Sequence, residues 1–408
     1  MLVLKQAQLE HRSSPWVRPV WLNRKVESEY YTAVSTFLLH LPFYRMSPQL
    51  FDKLHRLVAE RLTKQHVVRE PITSGERLAI TAEPLPYLCS GNPIMDIAME
   101  FRVGLETARE AIHLTCQVLW EELAPRYMKP PSEQDWQTIA DAYWMRWQFP
   151  NCLGAVDGKH VQVEAPANSG SLYHNYKGTF SIVLMAVADS SYVFRLIDVG
   201  APGRMSDGGV LKRSPIGQRL QAGLLGLPSR AQLPGSKMIL PYTFLGDEAF
   251  QLRPDFMRPY PGSREEPAER CFNYRLSRAR RCVENSFGIL AARFRIFRGP
   301  IKLKPENAEK VVKASCALHN FLSLEVEGRS AYCPAGFADH EDAFGKVVEG
   351  QWRKETATDT ATFDLEPTHA RRSKETAQAV RDHYAQFFMK EGKVPWQWKI
   401  LDIKEPDN

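Results

Sequence analysis

The fold class of this 408-residue chain is decided by the segment NCLGAVDGKHVQVEAP, residues 151–166. Its apolar parts, Leu153–Asp157 and His160–Glu164, predict a strand with a glycine interruption. The run SIVLMAVA at residues 181–188 is apolar almost throughout. A continuous apolar run of this kind is typical of a strand that is buried on both faces. These two segments therefore predict the core of a sheet that is covered by other elements.

Further elements follow these strands. Asp189-Ser190-Ser191 predicts a hairpin turn into the next strand. Apolar spacing then predicts a strand over 192–199, a helix over 209–222, a strand over 238–245 that ends at Gly246-Asp247, and helices over 273–297 and 311–324. Strands followed by helices and strands in this order indicate an α/β layer arrangement.

The region before the strands is predicted to be helical. Apolar residues recur at helical spacing over 26–70. The run MDIAMEFRVGLETAREAI, residues 95–112, resembles a helix-turn-helix. In that interpretation Ala98 lies in the first helix, Gly104 in the turn, and Thr107 at the start of the second helix.

Three parts are predicted along the chain. Residues 1–130 form a helical N-terminal region, with the helix-turn-helix at about 74–125. Ser132, after Pro130 and Pro131, is placed to cap the first helix of the next part. Residues 131–324 form the α/β domain. Residues 325–408 form a polar C-terminal extension with one amphipathic helix from about 372 to 389.

Composition indicates a globular protein, with 44% apolar and 25% charged residues. No uninterrupted apolar stretch approaches the roughly 18 residues of a membrane span, so no membrane association is expected. Met1–Lys25 lacks the pattern of a secretory signal. The seven cysteines include no CxxC pair, which favours a reducing compartment.

Positive charge is concentrated in one segment. The net charge is only +6, but Arg270–Arg298 holds eight arginines and a single carboxylate, Glu284. A basic run of this kind suits phosphate oxygens. Taken alone, the same charges are also explained by a solvated helix face.

Three carboxylates stand at positions suited to metal chemistry. Asp157 lies within the first predicted strand, Asp247 ends a later apolar strand, and Glu284 lies on the arginine-rich helix. Acids at neighbouring strand ends, faced by one from a helix, can converge on Mg²⁺, which prefers oxygen ligands. Two such ions can activate water and stabilise the leaving oxygen of a phosphodiester. The alternative for Glu284 is an ordinary ion pair, because Arg280 and Arg281 precede it by about one helical turn.

Six ordered segments resemble those of a known family. They are NCLGAVDGKHVQVEAP (151–166), NYKGTFSIVLMAVAD (175–189), DVGAPGRMSDGGVLKRS (198–214), FLGDEAFQLRPDFMRPYPG (244–262), FNYRLSRARRCVENSFGILAARFRIF (272–297) and ALHNFL (317–322). Together they resemble the PIF/Harbinger transposases, and especially the harbinger transposase-derived nucleases of animals. The likeness runs from about Trp136 to Leu322.

The resemblance implies a ribonuclease H-like fold and a DNA nuclease that depends on Mg²⁺ or Mn²⁺. It implies catalytic and metal-binding roles for Asp157, Asp247 and Glu284. It also implies that Asp207 is a further metal ligand or active-site acid. The alternative for Asp207 is an N-cap of the helix that follows. With all motif acids present, we predict hydrolysis of DNA phosphodiesters at a two-metal site.

Basic residues near these acids are predicted to contact DNA phosphates. The candidates are Lys159, Lys177, Arg204, Arg278, Arg280 and Arg281. Solvated surface is the alternative for the first three. The presumed recognition helix carries Glu106 and Glu110, which repel phosphate. A structural role for the N-terminal helices therefore stays open beside a DNA-reading role.

The resemblance also implies a separate Myb-like partner protein that supplies DNA binding and nuclear import. It thus predicts a nuclear protein that stays in the cytoplasm without its partner, and it leaves an oligomer open. A competing hypothesis is a catalytically silent, transposase-derived protein that keeps the fold and binds DNA or chromatin.

Overall fold

A computed structural model describes residues 46–64, 71–82, 87–89, 91–262, 266–359, 361–365 and 375–404. The chain divides into two compact units, Met1–Val118 and Leu119–Asn408. The predicted helical residues 26–45 lie outside the described residues.

The first unit is built from helices. They are α1 (Pro48–Leu62), α2 (Ser74–Ala82), α3 (Ile94–Glu100) and the start of α4 (Leu105–Tyr127). Ser47 caps α1 by accepting a hydrogen bond from the amide of Leu50. The side chains that α1 buries are spaced by four residues, which places them on one face: Leu50, Leu54, Val58 and Leu62.

The predicted helix-turn-helix corresponds to α3, a short turn and α4. Ala98 is buried in α3, and Gly104 immediately precedes α4, which begins at Leu105 rather than at Thr107. The acids of α4 have basic neighbours, since Glu106 pairs with Arg109 and Glu110 lies 3.3 Å from Lys64. These pairs offset part of the charge that would repel phosphate.

The second unit contains a mixed sheet with the strand order β3-β2-β1-β6-β7, to which β10 (Thr362–Asp364) adds along β1. The main strands are β1 (Cys152–Gln162), β2 (Ser181–Ala188) and β3 (Phe194–Pro202). They pair in antiparallel fashion, whereas β6 (Thr243–Leu245) and β7 (Phe256–Met257) extend the sheet in parallel. Every residue of β2 is buried, as its apolar run predicted. Ala231–Gln232 (β4) and Ile239–Leu240 (β5) form a separate ribbon.

Helices cover the sheet. They are α5 (Glu133–Trp147), α6 (Asp207–Arg213), α7 (Pro215–Gln221), α8 (Pro267–Arg293) and α9 (Pro305–Leu324), with a 3₁₀ turn at Arg295–Arg298. Helix α5 begins with a capping box between Ser132 and Asp135, at the predicted boundary. Tyr143 joins α5 to the sheet, because its hydroxyl donates to the Ala188 carbonyl and accepts from the Ala155 amide.

Two predicted elements are broken by proline. The helix predicted over 209–222 is divided at Ser214, which ends α6 and caps α7 at Pro215. The strand predicted over 238–245 is divided between β5 and β6 by Pro241, which has no amide hydrogen for a ladder.

The C-terminal residues contribute α10 (Val326–Tyr332), β8 (His340–Glu341), β9 (Val347–Val348), α11 (Gln351–Glu355), β10 (Thr362–Asp364), α12 (Glu375–Met389) and α13 (Gln397–Leu401). The amphipathic helix predicted from about 372 is α12, and residues 372–374 lie outside the described part. Phe388 of α12 packs beside Phe149 and Phe272 in the main core. These residues thus pack against the α/β domain.

The predicted fold class is confirmed: a mixed sheet is flanked by helices, with helices before and after it. Among the described residues, no helix combines the length and the hydrophobicity that a bilayer span requires.

Candidate active site

Asp157 lies at a gap along one edge of β1. On this edge β6 pairs with Cys152–Ala155 and β10 pairs with Lys159–Val161, so Asp157 lies between the two partners. Strand β2 occupies the opposite edge. Because β6 runs parallel to β1 and ends at Leu245, the residues that follow it reach the level of Asp157. The sheet therefore opens beside this carboxylate.

A cavity of about 570 Å³ lies at this gap. It is lined by Asp157 from β1, Asp247 from the loop after β6, and Glu284 from α8. These are the three acids that the sequence assigned to metal chemistry. Three further carboxylates, Glu248, Asp359 and Asp364, line the same cavity.

Asp157 is buried and has two cationic neighbours. Lys159 Nζ lies 3.7 Å from Oδ2, and Arg280 Nη2 lies 3.8 Å from Oδ1. Burial raises the pKa of Asp157; the two cations oppose this rise, and nearby Asp364 and Asp247 add to it. The site thus keeps an acid at a position where a negative charge is costly without a cation.

Glu284 belongs to the same electrostatic group. Burial raises its pKa, Arg280 opposes that rise, and the negative charge of Asp157 adds to it. The Glu284 side chain lines the cavity together with Arg280, so a charge interaction with Arg280 stays the alternative to a metal role.

The donor atoms of this cavity fit a hard divalent cation, because they are carboxylate oxygens without histidine or cysteine. In this conformation, however, no three acidic, histidine or cysteine side chains of the described residues are close enough to hold one ion. Lys159 and Arg280 instead supply the positive charge beside Asp157. Asp157, Asp247 and Glu284 are the residues that would hold a cation on moving together.

Asp207 is the first residue of α6, and its side chain lies outside the described part of the structure. The N-cap position of α6 is occupied by Ser206. The cap that we considered as the alternative role is therefore not at Asp207, and its metal role stays a prediction.

The arginines of α8 are placed in different environments. Arg278 is buried and donates to both oxygens of Glu341, at 2.6 to 3.1 Å. Arg281 donates to the same carboxylate at 3.0 Å. Only Arg280 of the three lines the acidic cavity. DNA contact by Arg278 or Arg281 would require these pairs with Glu341 to break.

The remaining candidate phosphate ligands lie outside the core. Lys177 is exposed, and its Nζ lies 4.1 Å from the ring centroid of Phe363. Arg204 is exposed in the segment before α6. Lys159 differs from both, because its side chain is only 18% exposed and faces the cavity.

The sequence missed several residues of this cavity. Glu248 was not among the predicted site residues, but β6 ends at Leu245 and both Asp247 and Glu248 line the cavity. The C-terminal extension, which the sequence placed outside the α/β domain, also contributes three residues to the cavity: Trp352, Arg353 and Asp364. Alternation in the short segment Thr362–Asp364 is too brief to predict its pairing with β1.

The comparisons with known proteins agree with this geometry. Residues 156–320 match the DDE superfamily endonuclease family. Over these residues the chain is similar to DDE superfamily endonucleases. Its matched span begins at Val156, beside Asp157, and includes Asp247 and Glu284.

Two relatives illustrate the similarity of the DDE domain. The chain is 29% identical over 208 residues to human "Putative nuclease HARBI1", which covers 50% of this chain and 55% of that protein. It is 27% identical over 293 residues to "Protein ALP1-like" of Arabidopsis thaliana, which covers 68% and 69%. The chain thus spans about half the length of the HARBI1 proteins that it matches. No solved structure matches the chain. The resemblance to Harbinger-derived nucleases is confirmed by these relatives.

Proposed function

We propose that this protein is a divalent-metal-dependent DNA endonuclease that hydrolyses phosphodiester bonds at a two-metal site. The observation that carries the proposal is the convergence of Asp157, Asp247 and Glu284 on one cavity. These acids come from a strand, a loop and a helix that are far apart in sequence. Their convergence within a DDE endonuclease domain supports a shared catalytic role.

The three carboxylates would bind Mg²⁺ or Mn²⁺ as oxygen ligands. A divalent cation bound here would lower the pKa of a water molecule and stabilise the leaving oxygen of the phosphodiester. Repulsion between these acids is seen in two of them, because Asp247 adds to the rise in the pKa of Asp157 and Asp157 adds to the rise in the pKa of Glu284. Cation binding relieves that repulsion, so the chain's own acids favour it.

Basic side chains in and around the cavity would receive the DNA backbone. Arg280 and Lys159 present cationic groups inside the cavity. Lys177 and Arg204 are exposed and would contact phosphates farther along the strand. These contacts carry no base information, so we propose that they position DNA rather than select its sequence.

The proposal extends to partners and location. A DNA substrate implies that the protein acts in the nucleus, as the sequence predicted. A separate Myb-like partner would supply sequence recognition and nuclear import. This fits helix α4, the presumed recognition helix, because its acids Glu106 and Glu110 make it a poor reader of DNA. Both statements stay predictions.

The proposal is tested by incubating the purified full chain with supercoiled plasmid DNA. We expect nicked circles to accumulate with Mn²⁺ or Mg²⁺ and not with EDTA. Nicking that is equally fast in EDTA would contradict a metal-dependent mechanism. Failure to nick in every metal, even with a Myb-like partner and terminal-repeat DNA present, would favour the catalytically silent DNA-binding alternative.

A further inference from the structure

Lys159 lies between two carboxylates of the cavity. Its Nζ lies 3.7 Å from Asp157 Oδ2, and it also donates a hydrogen bond to Asp364 Oδ1. The Lys159 side chain is 18% exposed, so solvent screens it poorly. The Lys159 ammonium is therefore shared by two carboxylates, those of Asp157 and Asp364.

Asp364 is held opposite Lys159 by the backbone. The two residues are direct partners in the antiparallel ladder between β1 and β10. The Asp364 carbonyl accepts a hydrogen bond from Tyr176 Oη at 3.1 Å. The ring of the preceding residue, Phe363, lies 4.9 Å from the imidazole of His160. The backbone of Asp364 is thus fixed, while its side chain is 75% exposed.

A metal ion and the Lys159 ammonium would compete for Asp157. Like charges repel strongly at the distances found in a partly buried site. An ammonium 3.7 Å from Asp157 therefore opposes the approach of a divalent cation. The ammonium needs another acceptor when the cation binds, because a buried charge without a partner is costly. Asp364 is such an acceptor and is already bonded to Lys159.

We propose that Lys159 is a built-in competitor for the cation at Asp157 and that Asp364 is a positioning residue that draws its ammonium away when the cation binds. This inference rests on the proposed metal-dependent function. It assigns to the C-terminal extension a role in setting metal affinity, which the DDE residues alone do not supply.

The proposal is tested by calorimetric titration of MnCl₂ into the DNA-free full chain, with folding checked by circular dichroism. Lys159→Gln should tighten Mn²⁺ binding, because the competitor is gone. Asp364→Asn should weaken it, because the ammonium then stays on Asp157. Each change should be several-fold to about tenfold, which lies within the range of coupling between residues in contact. Asp364→Glu should restore affinity to near the wild-type value.

The double variant separates positioning from direct ligation. If Asp364 acts only through Lys159, Asp364→Asn has no effect on Mn²⁺ affinity in the Lys159→Gln background. An equal loss of affinity in both backgrounds would make Asp364 a metal ligand and overturn the proposal. Asp359→Asn is the matched control, because Asp359 lines the same cavity and lies 3.7 Å from Arg298 instead. If Asp359→Asn weakens binding as much as Asp364→Asn, total charge explains the effect and the proposal is overturned.

This titration is distinct from the test of nuclease activity. Metal binding with the predicted changes, but without DNA cleavage, would support the role of Lys159 and Asp364 and contradict the proposed enzyme. The absence of Mn²⁺ binding in both the wild type and Lys159→Gln would overturn the inference itself.

Discussion

Trp352 packs so closely on Gly288 that a Cβ at Gly288 would lie 2.3 Å from the indole ring. The indole Nε1 also donates to Asn285 Oδ1 at 2.8 Å, about one turn earlier on α8. Both Trp352 and Gly288 line the acidic cavity. The C-terminal extension therefore packs against α8, the helix that carries Glu284, and forms a hydrogen bond with it.

Replacing Gly288 with alanine should weaken this attachment. The new methyl group cannot fit without moving Trp352, and overpacking of this kind costs about 1–3 kcal/mol. The measurement is the free energy of unfolding from urea denaturation. Gly299→Ala is the control, because a Cβ at Gly299 meets nothing within 4 Å. Equal stability of the two variants would show that Trp352 does not depend on the space at Gly288.

The central strands and acids could be predicted because their signals are local. The apolar run of β2 and the acids Asp157, Asp247 and Glu284 stand out from their neighbours in sequence. The C-terminal wall of the cavity could not be predicted in this way. Trp352 and Asp364 reach the cavity through packing and through pairing with β1, which are long-range contacts without a local pattern.

The arginines of α8 likewise have contacts that the local sequence does not predict. Eight arginines in one segment predicted phosphate contacts, yet Arg278 and Arg281 are paired with Glu341 from β8. A partner so distant in sequence cannot be inferred from the helix alone. Charge density identified a basic helix, but only the structure shows which of its guanidinium groups reach the cavity.

Exposed basic residues should account for the salt dependence of DNA binding. Each phosphate contact changes the slope of log affinity against log salt by about 0.9. We expect the double variant Lys177→Gln/Arg204→Gln to reduce that slope by nearly the amount that two phosphate contacts contribute. The affinities are measured by fluorescence anisotropy.

Arg278→Gln is the contrasting variant in the same assay. Arg278 is buried against Glu341, and its loss removes the partner of Glu341 Oε2 and leaves only Arg281 beside Oε1. The variant should melt at a lower temperature and keep the wild-type salt slope. If Arg278→Gln flattens the slope while Lys177→Gln/Arg204→Gln does not, the assignment of the phosphate contacts is reversed.

Stability should decrease in mild acid because of His319. This imidazole is fully buried and bonds to the Tyr192 carbonyl and the Tyr332 hydroxyl. Burial lowers the pKa of His319 from 6.5 to about 4. As the pH falls, His319 is therefore protonated in the unfolded chain before it is protonated in the folded one. The contribution of neutral His319 to the free energy of unfolding is complete above pH 6.5 and is lost as the pH falls toward 4. The loss is on the order of 3 kcal/mol, since each pKa unit corresponds to about 1.4 kcal/mol.

The measurement is the urea midpoint between pH 7 and pH 4.5. His319→Gln should be less stable at pH 7, because it loses buried hydrogen bonds, and should depend less on pH. A pH dependence as steep as that of the wild type would assign the acid sensitivity to another group, such as His160, whose pKa burial also lowers to about 4.

The central claim is tested most directly by the rate of phosphodiester cleavage in three single variants, Asp157→Asn, Asp247→Asn and Glu284→Gln. The substrate is supercoiled plasmid DNA with Mn²⁺, and folding is checked by circular dichroism. Each substitution keeps the side-chain size and removes one charge from the cavity. Asp342→Asn is the control, because Asp342 is exposed and only caps the turn between β8 and β9. We expect all three cavity variants to stay folded and to lose cleavage, while the wild type and Asp342→Asn cleave at equal rates. Cleavage by any cavity variant at the wild-type rate would contradict the shared metal site.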